Sequence, residues 1–254
     1  MATVKDILEF IQTLAPLSYK MEWDHVGLNC GHLDQPVEKI LVALDPFAHV
    51  CKEATEVGAD LLVTHHALLW ESGFITDEST QGENALYLIE NKIAHINAHT
   101  NLDCAPGGVN DTLATVLGLS DVSIVPDTEN LLRCGTIAQQ ELNAFLGHVK
   151  DSLGCEGLRY VDAGKPVKCV AVGGGSCAGA MAEAVRAGCD TFVTADVKYN
   201  QFRDALDLGI NLIDAGHFHT ENPVCSVLAS KIQAAFPKID VKLSVTHHDP
   251  MKFF

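Results

Sequence analysis

Asp60-Leu61-Leu62-Val63-Thr64-His65-His66 is a short apolar run that closes on two imidazoles, and its reading decides the fold. An apolar run of this length, with Gly58 just before it, fits a strand buried on both faces. Working outward, KILVAL (39–44) and AHINAH (94–99) are two more such runs. Residues 49–57 between them have helical spacing ended by Gly58, and residues 83–92 read as a further helix. The pattern restarts with VKCVAV (167–172), a GGGS turn (173–176) and a helix over 177–187. DTFVT (190–194), a helix over 199–208 and INLIDAGH (210–217) complete it. Strands alternating with helices predict an α/β fold with parallel sheets.

The two halves read as copies. Glu53, Ala54, Gly58, Asp60, Val63 and Thr64 recur as Glu183, Ala184, Gly188, Asp190, Val193 and Thr194, each 130 positions on. His99 and Asp103 recur as His217 and Glu221, 118 positions on. Each half is then a β-α-β-α-β unit ending in His-x-x-x-carboxylate. Residues 125–165 between them predict a smaller α/β unit: a strand near 134–138, a helix near 141–153 and a strand near 158–161. The expected organisation is an N-terminal repeat (1–124), this connecting unit (125–165) and a C-terminal repeat (166–254).

Composition narrows the partners. Among 254 residues, 33 Asp and Glu against 17 Lys and Arg give a net charge of −16, with no basic stretch. That balance counts against direct contact with nucleic acid. No uncharged apolar stretch is long enough to span a membrane, and the N-terminal segment MATVKDILEFIQTLAPLS reads as an amphipathic helix instead of a signal peptide. Nine scattered Cys without a C-x-x-C predict free, mostly buried thiols and a cytoplasmic protein.

The twelve His are the excess to explain. Ligands of open parallel sheets gather beyond the carboxyl ends of the strands. Three strand ends deliver His65 and His66, His99 and Asp103, and His217 and Glu221 there. Imidazoles with carboxylates suit Zn, Mn, Fe, Co or Ni. Neighbouring strand residues point to opposite sides, so His65 and His66 are expected to serve different ions of a pair. His99 is the candidate for acid–base or substrate contact, and Asp196, repeat partner of His66, is expected to line the same cleft. His219 and the pair His247 and His248 read as loop and tail residues. The GGGS turn misses both the dinucleotide spacing and the P-loop lysine, so it reads as a tight turn.

At these residues the chain resembles the dinuclear-metal Nif-three-like proteins, also called the GTP cyclohydrolase I type 2 family. The resemblance rests on Trp23-Asp24-His25-Val26-Gly27-Leu28, on Val63-Thr64-His65-His66 and on Thr100-Asn101-Leu102-Asp103 with Gly107-Gly108-Val109-Asn110-Asp111. Asp214-Ala215-Gly216-His217 through Thr220 to Glu221 completes it. His25, Ala67, Ala195 and Asn200 depart from the family's usual Asn, Pro, Gly and His.

The resemblance implies two interlocked, internally duplicated lobes with a metal site at the strand carboxyl ends between them. It implies two divalent ions per subunit, one on His65 and Asp103, the other on His66 and His217, with Glu221 bridging. It further implies a homohexamer and hydrolysis of a nucleotide or other phosphorylated metabolite. Two divalent ions against Asp103 and Glu221 would make a local positive well for an anionic small molecule in an acidic protein. The competing reading is a non-enzymatic protein for metal binding, metal delivery or regulatory interaction.

Overall fold

The computed structural model describes residues 1–70 and 74–254. It has two compact units, Met1–Ala105 with Cys225–His248 and Pro106–Val224 with Asp249–Phe254. The first unit carries one five-stranded sheet. Its strands are β1 (Gly27–Cys30), β2 (Lys39–Ala43), β3 (Leu61–Thr64), β4 (Ala94–Asn97) and β11 (Asp240–Leu243), in the order β1-β4-β3-β2-β11. The second carries a six-stranded sheet of β5 (Ser120–Ile124), β6 (Arg133–Gln140), β7 (Arg159–Val161), β8 (Val167–Val172), β9 (Thr191–Thr194) and β10 (Asn211–Asp214). Their order is β5-β6-β8-β9-β10-β7.

The helices of the first unit are α1 (Val4–Leu14), α2 (Ala48–Glu56), α3 (Thr80–Glu90) and the single turn α4 (Thr100–Cys104). Those of the second are α5 (Val109–Val116), α6 (Leu142–Leu153), α7 (Met181–Arg186), α8 (Tyr199–Leu208) and α9 (His217–Glu221). Helix α10 (Pro223–Ala235) carries the chain back to the first unit. Among the described residues, no helix is long and apolar enough to cross a membrane.

The duplication predicted from the sequence is visible bond by bond. Strands β2, β3 and β4 run parallel, as do β8, β9 and β10. Asp60 Oδ2 accepts from the backbone N–H of Glu38 and Lys39 at the start of β2. Asp190 accepts from Lys168 and Cys169 at the start of β8. Gly58 and Gly188 end α2 and α7 at φ +66° and +86°, where no Cβ is tolerated cheaply. Every residue of β3, β4, β9 and β10 is buried. That double cover is why these strands read as unbroken apolar runs. Asp60→Ala and Asp190→Ala should each cost about 1–3 kcal/mol in urea unfolding, because each strips two strand-opening N–H groups of their acceptor. Equal penalties are the expected signature of the repeat, and a neutral variant in either copy would contradict it.

These units are not the segments 1–124, 125–165 and 166–254. The connecting stretch is woven into the second sheet, where β6 pairs antiparallel with β8 and β7 antiparallel with β10. The C-terminal stretch supplies β11, which pairs parallel with β2 in the first sheet. The helix expected over 177–187 opens instead as a 3-10 turn (Ala178–Ala180) before α7. All nine cysteines are free thiols, and seven of them are buried.

Candidate metal centre

In the first unit, β3 stops at Thr64, so His65 and His66 lie just past the strand and escape its up–down alternation. Their rings are 4.9 Å apart, and the His99 ring lies 5.1 Å from His65 and 5.6 Å from His66. One ring nitrogen from each of the three lies within 4.8 Å of the others. The two rings therefore stand side by side just past the strand instead of on its opposite faces.

Each of these rings is held through Nδ1. His65 Nδ1 is 2.8 Å from Ala98 O, His66 Nδ1 2.6 Å from Asp45 Oδ1 and His99 Nδ1 3.0 Å from Asp24 Oδ2. A carbonyl or carboxylate only accepts, so Nδ1 carries the proton and Nε2 presents a lone pair. Asp24 and Asp45 are both buried deeply enough for desolvation to push their carboxyls up. Hydrogen bonds and neighbouring imidazoles outweigh that and hold both well below the usual range: His99 and Thr100 for Asp24, His247 and His66 for Asp45.

The second unit repeats the arrangement. His217 opens α9 and Glu221 follows one turn later on the same face. His217 Nδ1 is 2.7 Å from Asp196 Oδ2, and its Nε2 is 3.0 Å from Glu221 Oε2. Glu221 is 4% exposed. The GGGS turn folds against this pair. A Cβ on Gly175, which sits at φ +62°, would lie 2.2 Å from Glu221 Oε1 and 3.1 Å from the His217 ring. The N–H groups of Gly174 and Gly175 are spent on Asn110 Oδ1 and Thr220 Oγ1. The turn is therefore a cradle for Glu221, as its tight-turn reading allows, and no phosphate loop.

A metal fits this donor chemistry. His65 Nε2, a lone pair by its tautomer, faces Asp103 Oδ1 at 3.4 Å in a site only 1% exposed at His65. His217 Nε2 faces Glu221 Oε2 in the same sense. Two acceptors pointed at each other repel unless a proton or a cation lies with them. Such a pair occurs in each unit on the residues that the sequence singled out, and His219 Nε2 at 3.2 Å from Asp249 Oδ2, with its Nδ1 against the Leu153 carbonyl, is another in the second unit.

Residues 2–250 match the Duf34/NIF3 (NGG1p interacting factor 3) family. The chain belongs to the Duf34/NIF3 family. The "GTP cyclohydrolase 1 type 2 homolog" of Clostridium perfringens is 34% identical over 260 residues, covering 98% of this chain and 99% of that protein. A Helicobacter pylori protein named "GTP cyclohydrolase 1 type 2" is 31% identical over 234 residues, covering 90% of this chain and 91% of that one. The crystal structure of a Bacillus cereus protein related to NIF3 superposes with a TM-score of 0.93 at 24% identity, covering 100% of this chain and 99% of that one. A Staphylococcus aureus protein gives 0.88 at 27% identity, with 99% of both chains covered. The Nif-three-like α/β fold is thereby shown.

Within this NIF3-family chain, two of the four departures from pattern, His25 and Asn200, fall on exposed positions, and the other two, Ala67 and Ala195, are buried. His25 is exposed and enters the structure through its carbonyl, which accepts from Asn97 Nδ2. Asn200 is exposed at the start of α8. His219 is turned away from His217, with Nδ1 3.2 Å from Leu153 O and Nε2 3.2 Å from Asp249 Oδ2. Asp24 and Asp45, which orient His99 and His66, were not singled out as site residues by the sequence reading. Asp45 directly follows the β2 run, so the strand-end argument applied to the other strands would have found it. Asp196 supports His217 from a backbone at φ +52°, rare for a residue with a Cβ.

Proposed function

We propose that this protein is a hydrolase that uses two divalent metal ions to act on a nucleotide or other phosphorylated small molecule. The proposed ligands are His65, His66 and Asp103 from the first unit and His217 and Glu221 from the second. Supporting this is the lone pair of His65 and of His217 set against a carboxylate oxygen, which a cation relieves. When bound, such ions acidify water and polarise a phosphoryl or carbonyl oxygen. His99 is the proposed acid–base group. Its Nδ1 is tied to Asp24, so Nε2 is the atom free to take or return a proton at the substrate. The names of the curated relatives point to GTP as the first candidate substrate, the NIF3 resemblance to a cytoplasmic homohexamer.

Trp70 and Trp23, the chain's two tryptophans, have rings 4.9 and 6.0 Å from that of His99. Their fluorescence therefore reports a ligand arriving at His99. The deciding experiment is elemental analysis of the purified protein, followed by titration with GTP and simple phosphate esters and assay of ring opening and phosphate release. Two equivalents of metal per chain are expected, with turnover that a chelator abolishes and added metal restores. A protein that holds stoichiometric metal yet turns over none of these compounds would favour the metal-binding or delivery reading.

A further inference from the structure

The final stretch of chain, residues 244–254, reaches the supports of proposed ligands in both units. Glu53 on α2 is 5% exposed, and its carboxylate collects four hydrogen bonds from this stretch. Ser244 Oγ and Thr246 Oγ1 donate to Oε2 at 2.5 and 2.7 Å, the Thr246 N–H to Oε2 at 3.2 Å and the Val245 N–H to Oε1 at 2.8 Å. Glu183, the repeat copy of Glu53, instead pairs with Arg186 on its own helix. Holding the tail is thus a property of Glu53 that the duplication does not explain.

The anchor delivers His247. Its backbone N–H donates to Ser244 Oγ, and its ring Nε2 stands 3.6 Å from Asp45 Oδ2. The other oxygen of that carboxylate is the one that holds His66 Nδ1. His248 stacks on His49, ring centroids 5.1 Å apart. Beyond it, the tail belongs to the second unit. There Asp249, 9% exposed, meets His219 Nε2, and His219 lies on α9 between His217 and Glu221. The Phe253 ring sits where a Cβ on Gly157 would come within 2.8 Å of it.

We infer that residues 244–254 are a positioning element for the proposed metal ligands of each unit: in the first unit His247 fixes Asp45 and through it His66, and in the second Asp249 fixes the helix that carries His217 and Glu221. This rests on the metal reading above. A carboxylate that orients a ligand imidazole transmits its own looseness to the ligand, and such supports are worth roughly 10–100-fold in metal affinity.

The test is chelator competition on the protein carrying His247→Ala, Asp249→Ala or both, with His247→Gln and Asp249→Asn as conservative variants. Thermal unfolding of each metal-free protein is measured in parallel. Each alanine variant is expected to hold metal roughly 10-fold or more loosely, the double variant more so, with metal-free melting close to wild type. The conservative variants should recover part of the loss. Metal affinity within twofold of wild type in the double variant would overturn the tail's role and leave the metal reading standing. Metal-free melting that falls in step with affinity would also overturn it, since the tail would then only brace the fold. A wild type that binds no metal overturns both readings.

Discussion

Gly175→Ala is expected to release metal from the second unit's ligands while the chain still folds. The added Cβ would lie 2.2 Å from Glu221 Oε1, closer than any real contact. The backbone of the turn has no room to retreat. Its N–H is given to Thr220 Oγ1, and its carbonyl accepts from the Ala195 N–H and from Thr194 Oγ1. The carboxylate of Glu221 must therefore swing away, and with it the position it holds against His217 Nε2. The left-handed backbone adds about 1–2 kcal/mol of strain for any residue with a Cβ. Metal affinity should fall on the order of 100-fold, beyond the usual loss from a supporting residue because a proposed ligand itself is displaced. Gly179→Ala is the control, since no atom lies within 4 Å of the Cβ it would add. It should bind and melt like wild type. Metal analysis and chelator competition on the two variants decide the matter. Full retention of metal in Gly175→Ala would remove Glu221 from the ligand set.

Why the sequence showed one half of this centre and hid the other has a physical basis. Strands β2, β3, β4, β8, β9 and β10 are buried centrally in their sheets, so burial alone writes them as apolar runs. The residues just past their carboxyl ends are then placed by topology, which is how His65, His66, His99, His217 and the two carboxylates after them could be grouped. Edge strands carry no such mark. Every residue of β5 is exposed, and β11 is nearly so. Nothing in Asp240–Leu243 says that it pairs with β2, two hundred residues earlier by roughly this count. The passage between units falls at Ala105-Pro106, followed by Gly107-Gly108, a turn signal that also lies inside the family motif. Supporting carboxylates such as Asp24 are invisible for another reason. Asp24 meets His99 across 75 positions of sequence, and only the pairing of β1 with β4 brings those segments together.

His95 gives the largest expected response to pH. It is fully buried on β4, and burial pushes its imidazole down to about 3. The hydrogen bonds explain why the proton has nowhere to go. Thr64 Oγ1 donates to His66 O, so it must accept from His95 Nε2–H at 2.8 Å. That leaves Nδ1 as the only site for a second proton, and this atom is buried without a partner among the described residues. The unfolded chain takes that proton below its ordinary value near 6.5, whereas the folded chain refuses it until about pH 3. The stability tied to His95 is thus complete above pH 6.5 and is lost as pH falls from there to about 3. The loss is about 1.4 kcal/mol per pH unit, or about 3 kcal/mol by pH 4. The molecule supplies its own replacement. In the second sheet Leu212 stands opposite Phe192 as His95 stands opposite Leu62, and it is equally buried. His95→Leu should leave Thr64 its bond to the His66 carbonyl and flatten this acid limb. Urea unfolding of metal-free wild type and variant at pH 7, 5.5 and 4 reads the difference directly. The wild type is expected to lose ground to the variant at each step down. Parallel curves would mean that His95 is protonated in the fold and that its Nδ1 finds a partner.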